Sequence, residues 1–162
     1  LEKVARRNPA RSEYALNYIE ALMRSGRWEE AGIELRELRR VDPSERSAGM
    51  LGRVLFSLGD FSGALEIYRS LPPTPENRDR VAMSLHRLGR SAEAAAIERE
   101  VVAERPDWTV GLINLSAMLG ALGELEEAES LLVRVLEIDP ENAVARVNLQ
   151  TLRGATEGLE DK

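Results

Sequence analysis

One spacing pattern occurs four times in the chain and constrains its fold more than any other feature. The pattern is a Leu, a Gly four residues later and an Ala five residues after the Gly. Its copies are Leu22/Gly26/Ala31, Leu55/Gly59/Ala64, Leu85/Gly89/Ala94 and Leu119/Gly123/Ala128. Successive Gly residues of the pattern are 33, 30 and 34 residues apart. Because the pattern returns at a nearly constant period, the sequence predicts a repeat protein.

The spacing within each copy is typical of two helices joined by a tight turn. The Gly follows an amphipathic pattern and stands where a helix would end in the left-handed conformation, which Gly adopts at the lowest cost. A second amphipathic pattern begins one or two residues later, and the small Ala lets two antiparallel helices approach closely. Prolines that end helices keep the same rhythm, because Pro9 and Pro43, like Pro106 and Pro140, are 34 residues apart. The sequence therefore predicts antiparallel helix pairs.

On these residues the chain resembles the tetratricopeptide-repeat family. The fourth copy follows the family pattern most fully, with Leu115, Leu119, Gly123, Ala128, Leu132 and Asp139-Pro140, and the second copy carries the Leu-Gly pair as Leu51-Gly52. The resemblance implies an all-α fold, a right-handed α-solenoid of stacked antiparallel helix pairs. Basic residues are Arg except for Lys3 and Lys162, a usage typical of GC-rich bacterial genomes.

The repeats divide the whole chain. We expect the tail helix of a preceding repeat over 1–9, repeats over 10–43, 44–73, 74–107 and 108–141, a terminal helix over 142–153, and a loose acidic tail over 154–162. Since the chain begins inside this pattern, we also expect a longer natural protein. The third repeat departs from the others, because Glu98 stands where they have Leu35, Tyr68 and Leu132.

Composition and motifs argue against several kinds of site. The chain has no Cys and one His, His86, which excludes thiolate chemistry and a two-histidine metal site within one chain. No phosphate-binding Gly-rich loop or metal-binding motif is present in the sequence. We therefore expect no enzyme activity, no cofactor and no metal, although a catalytic domain elsewhere in a longer protein stays open.

Charge and hydropathy argue against a nucleic-acid partner and against a membrane-spanning segment. The net charge is −6, and residues 108–162 carry it, with 4 basic and 10 acidic residues. An acidic chain argues against nucleic-acid binding. No apolar run reaches the length of a membrane span. Cytoplasm and periplasm both remain open.

The resemblance also implies where a partner would bind, because the first helices of successive repeats line a concave groove in this family. In that register we expect eleven partner-binding residues: Asn17, Arg46, Met50, Arg53, Arg80, Met83, Arg87, Val110, Ile113, Asn114 and Val147. The four Arg side chains would form a basic band suited to an acidic partner. Alternatively, they pair with Asp79, Glu45 or Glu76 and only keep the groove soluble. Leu16 and Glu20 stand where chaperone-binding family members have the Lys and Asn that grip a carboxylate, so that function is not carried over.

Three functions follow as hypotheses. The first is a protein–protein interaction module, or scaffold, that binds a partner peptide or helix in the groove. The second is a structural module that self-assembles through its ends, where Leu1, Val4, Val144 and Val147 leave apolar surface unpaired. The third is the non-catalytic part of a larger enzyme or of a secretion or assembly protein.

Overall fold

The structure is a computed structural model that describes residues 9–160, with side chains described for residues 12–154. The described residues form helices and short connections without strands. The helices are α1 (Pro9–Arg24), α2 (Trp28–Val41), α3 (Glu45–Ser57), α4 (Phe61–Ser70), α5 (Pro75–Arg87), α6 (Ser91–Glu104), α7 (Thr109–Leu122), α8 (Leu125–Ile138) and α9 (Ala143–Glu160). The predicted all-α class is confirmed.

Four short turns join the helices in pairs. The described residues with positive φ are Gly26, Gly59, Gly89 and Gly123, at 73°, 82°, 79° and 79°. These are the four Gly residues of the repeated pattern, and the left-handed conformation that they adopt would strain any residue with a Cβ. Because each turn is only a few residues long, the two helices that it joins are antiparallel neighbours.

Side chains at the helix starts determine where several helices begin. Ser44 accepts a hydrogen bond from the Ser47 backbone N–H at 3.2 Å, and the Ser47 hydroxyl accepts one from the Ser44 N–H at 3.1 Å. Thr74 accepts from the Asn77 N–H at 3.3 Å, with Pro75 at the first helical position. Each bond satisfies a backbone donor that the helix itself leaves unpaired.

The helices group into two units, which divide between Pro73 and Thr74. In the first unit, α1 to α4 pack in chain order, each on the next. A core cluster lies among α1, α2 and α3 and consists of Leu16, Ile19, Leu22, Met23, Ala31, Leu35, Leu38, Met50 and Val54. The pattern residues Ala31 and Ala64 are both 0% exposed, as the close approach of paired helices requires.

In the second unit, α5 to α9 also pack in chain order, and α7 contacts both α5 and α9. The first helices of consecutive pairs therefore touch one another, which is the stacking expected of an α-solenoid. Leu85, Leu112, Leu119, Leu132 and Val135 fill the core between these layers and are 2% exposed or less.

The C-terminal tail corrects one expectation. Helix α9 continues to Glu160, so residues 154–160 are helical rather than loose. This stretch contains no proline, and a Gly inside a helix costs only about 1 kcal/mol, so Gly154 does not stop the helix. Residues 161–162 lie outside the described residues, as do residues 1–8 of the tail helix that was expected over 1–9. The repeat boundaries themselves remain a proposal.

Within residues 9–160, no helix combines the length and the apolar composition that crossing a membrane requires.

Candidate partner-binding surface

The eleven predicted residues all lie on the first helix of a pair or on α9, which follows the last pair. The first unit carries Asn17 on α1 and Arg46, Met50 and Arg53 on α3. The second unit carries Arg80, Met83 and Arg87 on α5, Val110, Ile113 and Asn114 on α7, and Val147 on α9. Their environments differ, and each unit is described separately.

In the first unit, Asn17, Arg46 and Arg53 are exposed. The Arg46 guanidinium lies 3.9 Å from carboxylate oxygens of both Glu13 and Glu20. Exposed ion pairs of this length contribute little to stability. Among the side chains of residues 12–154, no ion pair includes Arg53. Arg53 is therefore the more available of the two cations.

Met50 is a wrong prediction. Its side chain is 7% exposed and belongs to the core cluster. The reason is its position four residues before Val54, which is 0% exposed, because residues four apart lie on the same face of a helix. Met50 therefore packs inside the unit and is not available to a partner.

The second unit exposes apolar side chains on neighbouring first helices. Val110 on α7 is 50% exposed, and Val144 and Val147 on α9 are 56% and 61% exposed. Ile113, one turn after Val110, is half-buried. Helix α7 contains no charged residue, and α7 contacts α9. We call Val110, Ile113, Val144 and Val147 the apolar patch.

Helix α5 carries the basic residues of the second unit. Arg87 is exposed, and Arg80 is half-buried and donates to the Asn77 carboxamide oxygen at 3.3 Å. Met83 lies between them and is half-buried. Glu76, one of the acidic residues that the sequence offered as a partner for these cations, accepts a hydrogen bond from Arg105. Burial raises the pKa of Asp79, and the positive charge of Arg80 opposes this rise because it favours the ionised carboxylate.

Asn114 has a role that the sequence did not reveal. Its Nδ2 donates to Oδ1 of Asp79 at 2.6 Å, which joins α7 to α5. Asp79, which the sequence offered as an ion-pair partner for the groove arginines, is buried, at 9% exposed. Asn114 is half-buried, and one N–H of its side-chain amide forms this bond.

Beside this bond lies a buried carboxyl group that sequence reasoning did not assign to a site. Glu98 on α6 is 0% exposed. Burial, together with the nearby Asp79 carboxylate, raises the pKa of Glu98 to about 8. Burial likewise raises the pKa of Asp79. The available signal was the replacement of a core Leu or Tyr by Glu98 in the third repeat alone.

The single histidine has a local partner. Nδ1 of His86 lies 3.0 Å from the Ser91 hydroxyl, and burial lowers the pKa of His86, with a smaller contribution from Arg87. In the part of the chain that the structure describes, no three His, Cys, Asp or Glu side chains come together as metal ligands would.

Comparison with known families supports the sequence pattern. Three family models, each described as a tetratricopeptide repeat, match residues 1–46, 82–99 and 111–138. Together these matches cover more than half of the chain. No curated protein is similar enough in sequence to count as a relative.

Solved structures share the fold. The first TPR of Spaghetti (RPAP3) bound to HSP90 peptide SRMEEVD is 26% identical, with a TM-score of 0.64, and the match covers 70% of this chain and 93% of that one. MamA from Desulfovibrio magneticus RS-1 is 20% identical, with a TM-score of 0.76 and coverage of 90% and 85%. TTC0263, a thermophilic TPR protein from Thermus thermophilus, is 18% identical, with a TM-score of 0.77 and coverage of 90% and 82%.

Proposed function

Because the chain belongs to the tetratricopeptide-repeat family, we propose that it is a protein–protein interaction module that binds a peptide or helix of a partner on its first helices. Repeats of this family are generally interaction modules without catalysis, and we propose no reaction for the chain. One similar structure, at 26% identity, is described as bound to a peptide, SRMEEVD. That description supports the class of partner and not its identity.

The observation that carries the proposal is the apolar patch. Its three Val side chains are at least half exposed and lie on helices that contact each other. Exposed apolar side chains grouped on neighbouring helices often mark an interaction site. An amphipathic helix or an extended peptide would bury these side chains and release the water that now covers them.

Charge supports an acidic component in the partner. Arg87 is exposed on α5, in the same unit as the patch. Guanidinium groups bind carboxylates in a planar, two-pronged geometry. We therefore propose a partner segment that combines apolar side chains with Asp, Glu or a terminal carboxylate.

The test begins with random peptides displayed on phage and selected on the full chain. We expect the enriched peptides to be apolar and acidic. Val110→Ser combined with Val147→Ser should then weaken their binding about tenfold or more, since each Val loses roughly 1 kcal/mol or more of apolar burial. The matched control is Val133→Ser with Ile138→Ser, which removes two exposed apolar side chains from α8 in the same unit.

Charge is tested separately. Arg87→Glu should weaken binding, more at low salt than at about 0.15 M, because salt screens exposed charges. Arg69→Glu, an exposed Arg on the second helix α4, is the control. Selected peptides that bind the Val110/Val147 variant as tightly as the parent protein would remove the patch from the mechanism.

Self-association is a second candidate, since Val144 and Val147 on α9 are 56% and 61% exposed. A second copy of the chain could cover them. Analytical ultracentrifugation over a range of concentrations distinguishes the two. The self-association proposal expects a concentration-dependent increase in mass that Val144→Ser with Val147→Ser removes. A strict monomer at high micromolar concentration contradicts it and leaves the peptide-binding proposal intact.

A further inference from the structure

Three side chains from three consecutive helices meet inside the second unit. Asp79 on α5 and Glu98 on α6 are 9% and 0% exposed. Asn114 on α7 donates to Asp79 at 2.6 Å. None of these contacts is needed for the partner-binding surface, and an apolar side chain takes the place of Glu98 in two of the other repeats. A buried carboxyl group at such a position needs its own explanation, because burying an unpaired charge is very costly.

The surroundings of Glu98 leave its ionised form without a donor. Neither of its carboxyl oxygens has a hydrogen-bond partner among the described donors. A methyl group added at Gly111 of α7 would lie 3.0 Å from Oε1 of Glu98 and 2.9 Å from the Trp108 ring, so the carboxyl group is packed tightly against the first turn of α7. A protonated Glu98 has one O–H, and the neighbouring Asp79 carboxylate can accept it.

The charged groups around Glu98 do not compensate the cost of burying its negative charge. From α5, Arg78 favours the ionised form, but its guanidinium is paired at 2.5 Å with Glu104 and lies 3.7 Å from Glu100. On Asp79, the charge of Arg80 lowers the pKa and the charge of Glu76 raises it, both less than burial does. Helix α7 contributes no charged residue, and Asn114 faces Asp79. Desolvation and the Asp79 charge therefore dominate.

We propose that Asp79, Glu98 and Asn114 form a protonation-dependent lock that joins α5, α6 and α7. With one proton on Glu98, the chain of hydrogen bonds runs from Glu98 to Asp79, which also accepts from Asn114. When Glu98 loses its proton, two carboxylates face each other in a dry environment and repel. The three helices then pack less stably, and the second unit opens more easily.

The direction of the pH dependence follows from the pKa of Glu98, which is about 8 in the folded chain and near 4.5 as a free side chain. Between these values the unfolded chain has released the proton and the folded chain retains it. The contribution of Glu98 to the stability of the second unit is therefore complete below about pH 4.5 and decreases as the pH rises towards about 8. Above that value the Glu98 contribution becomes constant.

The experiment measures urea unfolding of the full chain from about pH 5 to about pH 9. A Trp28→Phe background leaves Trp108, which lies beside Gly111, as the fluorescent reporter of the second unit. Between about pH 6 and pH 7, we expect the folding equilibrium constant of the chain with Glu98 to decrease about tenfold more than that of the Glu98→Gln variant. The reason is that unfolding releases one proton from Glu98 in this pH range. Gln keeps the shape of Glu, cannot ionise and can donate to Asp79. The control is Glu137→Gln, an exposed carboxylate on α8, which should keep the pH dependence of the parent.

A second measurement needs no substitution, so it does not depend on whether a variant folds. The Glu98 carboxyl carbon, followed by NMR in the unmodified chain, should titrate near pH 8, and the side-chain amide signal of Asn114 should shift with the same midpoint. Titration of Glu98 near its ordinary value, or equal pH dependence in Glu98→Gln and the parent, overturns the proposal. Neither result bears on the partner-binding function.

Discussion

Two glycines of the same helix should respond in opposite directions to the same substitution. Gly52 and Gly49 both lie inside α3. A Cβ added at Gly52 would lie 2.6 Å from Cε1 and 2.8 Å from Cζ of Tyr68, whose side chain is 3% exposed. At Gly49 the nearest atom would be Cδ1 of Leu71 at 3.9 Å, an ordinary contact. Only Gly52 is therefore required by packing.

The magnitudes follow from two opposing effects. Replacing a helix-interior Gly with Ala stabilises a helix by about 0.5–1 kcal/mol. At Gly52 this gain competes with overpacking against a buried ring, which costs roughly 1–3 kcal/mol. We expect Gly49→Ala to stabilise the first unit and Gly52→Ala to destabilise it, with a difference of about 2 kcal/mol between the variants.

The assay is urea unfolding followed by Trp28 fluorescence in a Trp108→Phe background, which reports on the first unit. A further variant combines Gly52→Ala with Tyr68→Leu, because Leu is the residue at the corresponding positions 35 and 132. The shorter side chain should remove most of the clash, so the two changes should not be additive. If Gly49→Ala and Gly52→Ala both raise the urea midpoint equally, the close approach of Tyr68 does not control this position.

Three other substitutions test how the helices are built and paired. Ala64→Leu, at a 0% exposed position, should cost roughly 1–3 kcal/mol by overpacking, and an unchanged urea midpoint would contradict the predicted contact between paired helices. Ser44→Ala removes the bond to the Ser47 N–H and should cost about 1 kcal/mol, whereas Ser44→Asp should retain most of the stability, as thermal unfolding can show. Gly123→Ala has open space around the new methyl but a φ of 79°, so it should cost roughly 1–2 kcal/mol through backbone strain alone; no loss on chemical denaturation would place the turn in another conformation.

Local sequence determined the helices and most of their turns. The Leu/Gly/Ala spacing identified the four turns because a left-handed residue strongly favours Gly, and that requirement does not depend on distant parts of the chain. Thr74 and Pro75 likewise marked the start of α5 through interactions within a few residues. The period of the pattern then indicated the family, since each stacked helix pair is encoded by the same short sequence pattern.

Tertiary structure decided which side chains a partner could reach. Helical periodicity places Met50 near one face of α3, but only the packing of α2 and α3 decides that the core covers it. The same limit applies to the end of α9, where no local signal was strong enough to stop the helix at Gly154.

The buried cluster of Asp79, Glu98 and Asn114 shows the limit most clearly. Each of its members is 16 to 19 residues from the next in the sequence, and each looks ordinary on its own helix. The pattern showed that Glu98 replaces a core residue, but not which side chains would meet it. That depends on how closely α5, α6 and α7 pack, because a carboxyl group changes its protonation only when neighbouring helices remove water and bring a second charge beside it.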